Sequence, residues 1–143
     1  MDRAIATAGL DVVASGDVWC VARNSHVMVV VLDGDITDAA SETWQAAAQL
    51  NIDEVGHSTF GFVCALQARS QTSLANRVRT AGFIRRRSKA MQHIVMCTDV
   101  HAGVVIHSVL RVSQISNVHF IDQSQGVRVL SSLRAGIDPY AGS

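Results

Sequence analysis

The chain has 143 residues, of which 48% are apolar and 17% charged, and twelve Lys and Arg balance twelve Asp and Glu. That length suits one domain, able to bury ~68–70% of its unfolded surface without disulfides. The composition excludes a disordered or collagen-like chain, and zero net charge excludes a global pull toward nucleic acid or anionic membrane.

Residues 1–15 are small and weakly patterned, which predicts a loose, flexible arm or a short edge strand. Asp17 to Arg23 and His26 to Asp33 read as two strands joined at Asn24-Ser25, hence a hairpin. The second is apolar on both faces and so central in its sheet. Gly34-Asp35 ends it. Thr37 or Asp38 caps a helix over 38–50 with Ala40, Thr43, Trp44, Ala47 and Leu50 inward. Residues 51–57 read as a loop and 58–66 as a strand.

Ser70, Thr72 or Ser73 then caps a helix of about 15 residues, with Leu74, Val78 and Ala81 inward. Residues 90–97 form the next strand, and a helix spans about 100–114. Residues 117–121 are the last strand. Asp122 or Ser124 caps a final helix stopped by Gly136, Asp138 and Pro139. The expected fold is α/β: a mixed, mainly parallel five-stranded sheet with an N-terminal β-hairpin and about four helices. One domain over 16–136 and a frayed tail over 137–143 complete it. Val29, Val31, Phe62, Cys64, Ile94, Met96 and Phe120 are the expected buried strand positions.

The apolar run 27–32 and the His-interrupted run 100–110 are shorter than the ~20 residues of a spanning helix. The early Asp2 and the lack of a long apolar stretch argue against a signal peptide. Cys20, Cys64 and Cys97 are odd in number, far apart and without a CxxC pair. Such spacing predicts buried free thiols in a reducing, cytoplasmic setting.

Charge is balanced in sum but not in arrangement. Residues 1–54 carry nine acids and two bases, a net of −7, whereas residues 55–98 carry no acid and seven bases. Those bases are Arg69, Arg77, Arg79, Arg85, Arg86, Arg87 and Lys89. They either screen the acidic half or offer a basic surface to a partner. The run Arg85-Arg86-Arg87 also answers the negative end of its helix.

Catalytic motifs are sparse. The sequence contains no Walker loop, GxGxxG, HExxH or Gly-x-Ser-x-Gly elbow, and the six histidines lack metal-ligand spacing. Asp33 and Asp35 stand at a strand end, where carboxylates can hold Mg²⁺, but turn and cap chemistry explains them. No metal and no cofactor are expected.

The segment Val29 to Asp38 resembles the strand-to-helix transition of STAS domains, the anti-sigma-factor antagonist fold. Val109 to Val112, Val118 to Asp122 and Gly126 to Leu130 resemble the close of such domains, and the element order over 17–135 fits them. The resemblance implies a non-enzymatic regulatory module that docks a kinase, an anti-sigma-like protein or copies of itself. It further implies an Asp-Ser-x-Gly turn whose Ser is phosphorylated. Here the turn is Arg69-Ser70-Gln71-Thr72-Ser73, with Arg for Asp and Thr for Gly. Ser70, Thr72 and Ser73 are thus phosphoacceptor candidates or helix caps, and an unmodified cap at Ser70 with a docking surface around it is favoured. The alternative is a small-ligand domain taking a nucleotide or lipid in a strand-end crevice near Asp33, Asp35, Ser70 and Asp99. A metal-assisted hydrolase on Asp33 and Asp35 is the third class.

Overall fold

The computed structural model describes residues 2–55, 61–66, 71–98, 108, 111 and 115–141. A six-stranded mixed sheet organises them. Its strands are β1 (Asp11–Ser15), β2 (Trp19–Arg23), β3 (Val27–Leu32), β5 (Gly61–Leu66), β7 (His93–Cys97) and β8 (Val118–Ile121), side by side in chain order. Two-residue strands β4 (Asp35–Ile36) and β6 (Gln71–Thr72) pair separately and in parallel. The pairs β1–β2 and β2–β3 are antiparallel; β3–β5, β5–β7 and β7–β8 are parallel. The fold class is as expected, with one strand more than the five read from the sequence.

The additional strand lies in the stretch read as arm or edge strand. Residues Arg3–Thr7 form a short helix α1, and Asp11–Ser15 form β1 at the sheet edge. Ala6 is buried, and Arg3 reaches Asp33 with two hydrogen bonds of 2.9 and 2.7 Å. A register shift between Val12 and Ala14 disrupts the β1 ladder, a device that blunts an exposed edge.

Three long helices complete the described fold: α2 (Asp38–Val55), α3 (Leu74–Arg87) and α4 (Gln123–Arg134). The sheet is buried on both sides. Met28, Val30, Phe62, Cys64, Ile94 and Met96 meet α2 and α3. Val27, Val29, Val31, Val63 and Val95 meet α1 and α4. This two-sided burial explains why β3 and β5 read as unbroken apolar runs. Phe120 is only half-buried, because β8 is the opposite edge.

Two helical readings change. Helix α2 runs to Val55 rather than ending at residue 50. The Asn51 amide donates back to the Ala47 carbonyl at 2.9 Å, and Ile52 is buried, so residues 51–55 of the segment read as loop continue the helix. Its inward stripe is Ser41, Trp44, Gln45, Ala48 and Ile52, whereas Leu50 is 68% exposed. In α3 the inward residues are Asn76, Thr80, Ala81, Phe83 and Ile84, and Leu74 and Val78 face solvent. The helix read over 100–114 lies outside the described residues, apart from Ser108 and Arg111, both helical and exposed.

Caps follow local chemistry. Thr37 Oγ1 accepts from the Ala40 N–H at 3.1 Å and starts α2. Asp122 starts α4 with a reciprocal capping box involving Gln125. Gly136, at φ +74°, ends α4 and turns the chain back. At Gly61 a Cβ would stand 3.1 Å from a Leu133 methyl, so glycine lets α4 approach the start of β5.

Candidate functional site

The carboxyl ends of the parallel strands are where open α/β sheets place ligands. Asp33 does not serve that crevice: its carboxylate is taken by the Arg3 guanidinium and its side chain is 9% exposed. Asp33 also raises the Arg3 pKa, chiefly through their hydrogen bond, so that cation persists. Asp35 is exposed on β4, and Asp99 lies outside the described residues. The crevice itself is walled by Leu32, Ile36, Leu66, Met96, Arg77 and Thr80, and its cavity is ≈ 10 Å³. That is room for about one water, whereas ligand pockets run to ~300–1,000 Å³. Of the predicted acidic crevice the described residues include Asp33 and Asp35, the first engaged by Arg3 and the second exposed.

Arg69 and Ser70 fall outside the described residues, and Thr72 is half-buried on β6. The observed cap of α3 is Ser73, whose hydroxyl accepts from the Asn76 N–H at 3.1 Å. Of the three cap candidates, Ser70, Thr72 and Ser73, it is Ser73 that stands directly before the first helical residue.

Beyond that cap, the first two turns of α3 are patterned in reverse. Asn76 is 2% exposed and Thr80 6%, while Leu74 is 64% and Val78 48% exposed. The buried polar groups have work inside. The Asn76 amide donates to the Ile36 carbonyl at 3.0 Å and ties α3 to β4; the Thr80 hydroxyl donates to the Asn76 carbonyl at 2.9 Å. Leu74 and Val78, four residues apart, form one outward apolar stripe.

The basic residues separate into two groups. Arg79 is committed to α2, donating to the Asp38 carbonyl at 3.4 Å and lying 3.8 Å from Glu42. Arg87 lies over the Phe83 ring at 4.1 Å and donates to the Phe83 carbonyl at 3.2 Å. Burial, then the neighbouring Arg86 charge, lowers its pKa. Arg77 is half-buried, and its Nε is sealed from water without a hydrogen-bond partner. Arg85 and Arg86 are exposed, as is Lys89 in the 3-10 turn Ser88–Ala90. Arg85 and Lys89 flank an open groove of ≈ 520 Å³ whose floor includes Met91 and Asn117. The Asn117 amide donates to the Ser88 and Met91 carbonyls at 3.0 and 2.9 Å, which fixes that floor.

A second polar constellation escapes sequence reading. His93 Nδ1 lies 3.1 Å from His119 Nε2, and His93 Nε2 lies 2.9 Å from an Asp138 carboxylate oxygen. Tyr140 stacks on His119 at 3.6 Å between centroids and 6° between planes. Register explains the pair: His119 sits opposite Val95, so it shares a face with His93 two residues earlier. The pairing of β7 with β8 could have suggested it. The return of Asp138 and Tyr140 depends on the Gly136 turn and has no local signal.

His93 thus lies between His119 on one side and Asp138 on the other. Among the described residues no group of three His, Cys, Asp or Glu is placed to hold a metal ion. Cys20, Cys64 and Cys97 are buried and unbridged. Burial pushes the Cys64 thiol up to about 12 and raises the other two, so none is a ready thiolate.

In comparisons with known proteins, the chain matches no family model, no curated protein and no solved structure.

Proposed function

We propose that this chain is a non-enzymatic, STAS-like interaction module that docks an acidic regulatory protein on the outer face of α3. The observation that carries this reading is the outward apolar pair at the beginning of α3. An ordinary surface helix turns its apolar stripe inward; here Leu74 and Val78 face out while Asn76 and Thr80 are buried. Arg85 and Arg86 continue the same exposed helix, in a stretch of sequence without a single acid. An apolar centre beside cations fits a protein surface carrying an apolar anchor within carboxylates. The resemblance to STAS domains, carried by the residues around Asp33 and the closing strand and helix, supplies the regulatory part. Docking of a second copy of the chain is an outcome that the experiment separates.

The test is affinity capture from the native host with the whole chain as bait, beside Leu74→Ser/Val78→Ser and Arg85→Glu/Arg86→Glu variants of wild-type stability. A specific acidic partner should be lost by the first and weakened at least tenfold by the second. Equal capture by all three baits overturns the α3 surface. Self-association by sedimentation that vanishes in both variants replaces the regulatory partner with a second copy.

A further inference from the structure

The groove at the end of α3 shares only Arg85 with the docking face proposed above. It lies where the turn Ser88–Ala90 and residues 115–117 lead into β7 and β8, at the end of the sheet opposite the strand carboxyl ends. Its ≈ 520 Å³ falls within the ~300–1,000 Å³ of ligand pockets.

Three kinds of surface meet there. Arg85 and Lys89 stand exposed at the rim. Among the described residues, neither side chain makes an ion pair or a hydrogen bond. The carbonyls at the helix end do not occupy them. The Arg85 carbonyl accepts from the Ser88 N–H and, at 3.0 Å, from the Ser88 hydroxyl, and the Phe83 carbonyl accepts from Arg87. The apolar part of the groove is Met91, 6% exposed, and Ile115, half-buried against the core. A methionine side chain adapts to apolar groups of irregular shape. The third surface is Asn117. Its amide nitrogen is spent on the Ser88 and Met91 carbonyls, and its backbone carbonyl accepts from the Ile94 N–H at 2.9 Å. The polar side-chain atom left for a ligand is Oδ1, an acceptor held in place by those bonds.

We infer that this groove takes the C-terminus of a peptide whose last residue is apolar. The carboxylate sits between Arg85 and Lys89, the last side chain lies on Met91 and Ile115, and the last N–H donates to Asn117 Oδ1. Charge decides the anion. The groove adjoins the C-terminal end of α3, where the helix dipole disfavours negative charge. A singly charged carboxylate suits two exposed cations there better than the near-dianion of a phosphate monoester. Shape decides the size. A small-molecule site buries most of its ligand, whereas an open groove gives the preceding residues of a chain a way out to solvent. A peptide end is the ligand that joins a carboxylate, an apolar side chain and an N–H donor within one residue.

The chain has four methionines, so methyl-¹³C methionine labelling gives a reporter in the groove and controls away from it. Met28 and Met96, each 1% exposed, lie in the core. The experiment titrates the full chain with an acetylated Ser-Gly-Ser-Leu peptide bearing a free carboxylate. The Met91 methyl signal, assigned by Met91→Leu, should shift to saturation while Met28 and Met96 stay constant. Three altered peptides should each bind at least tenfold more weakly: one with a C-terminal amide, one with Ser for the last Leu, and one with an ester oxygen in place of the last N–H. Lys89→Gln should weaken the free-acid peptide and leave the already weaker binding of the amide unchanged. Leu74→Ser/Val78→Ser should bind the peptide as the wild type does, so failure of the α3 docking face leaves the groove standing. A static Met91 signal at millimolar peptide overturns the inference, as does equal binding of the acid and the amide. N-acetyl-leucine binding as tightly as the peptide overturns the peptide in favour of a small carboxylate, and tighter binding of adenosine monophosphate overturns the carboxylate.

Discussion

Helices α2 and α3 lie on the same face of the same sheet and touch through Trp44 and Phe83, whose rings meet edge-on at 5.4 Å and 70°. They solve the same packing problem differently. Helix α2 sends Trp44, Ala48 and Ile52 into the core together with Ser41, Gln45 and Asn51, and shows solvent mainly charged and small residues, Leu50 being the exception. Helix α3 behaves this way only in its second half, where Phe83 and Ile84 are buried. Its first two turns invert the rule. Both helices bury polar side chains; what sets the beginning of α3 apart is a pair of apolar residues one turn apart on its outer face, against the single Leu50 of α2. Burial of Asn76 sharpens the point, because its side chain substitutes a backbone hydrogen bond for apolar packing and leaves the leucine and valine outside.

The largest expected effect lies on the α2 side of this contrast. Trp44→Ala should cost ~3–5 kcal/mol, the range for removing a buried aromatic and leaving a cavity. Trp44 is fully buried and supports Phe83 across the helix pair. Denaturant unfolding measures it as a lower midpoint. A loss under about 1 kcal/mol would mean that α2 does not anchor the core as described.

The parts legible from sequence share one physical property: both sides of the element are buried or one local bond defines it. Strands β3 and β5 stand out because neither face meets water, so no alternation blurs them. The Asp122 cap is legible because a short side chain two or three residues ahead of the helix N–H groups needs no distant partner. Helix faces were less legible. Periodicity assigns apolar residues to the core, and Leu50, Leu74 and Val78 break that assumption from one-residue ambiguities that only packing resolves. The end of α2 was hidden because Asn51 reads as a stop, yet its amide satisfies a carbonyl one turn back. The Arg3–Asp33 pair and the His93–Asp138 pair join residues 30 and 45 positions apart, and no local pattern announces either.

At the junction between the two behaviours stands Ser73. Its hydroxyl satisfies one of the N–H groups that begin α3, and nothing apolar is buried with it, since the residue is exposed. Ser73→Ala should therefore cost about 1 kcal/mol, the ordinary worth of such a cap. Ser73→Asp should retain most of it, because a carboxylate also accepts from the N–H and suits the positive end of the helix. Equal loss in both variants, read from paired unfolding curves, would show that the start of α3 is held by something other than this bond.

The smallest expected change in stability is at the residues that matter most to the contrast. Replacing Leu74 and Val78 by Ser removes apolar surface that is largely in water already, at 64% and 48% exposure. Burial supplies about 25 cal/mol per Å² only for area taken out of water, so little stabilisation is there to lose. The small penalties of Ser and Val in a helix interior are similar in size. The double variant should therefore unfold within about 0.5 kcal/mol of the wild type. A loss of 2 kcal/mol or more, well beyond an exposed-site effect, would place these side chains in an internal contact and make α3 the same kind of helix as α2. A neutral result leaves the stripe unexplained by folding, which is the condition the docking reading requires.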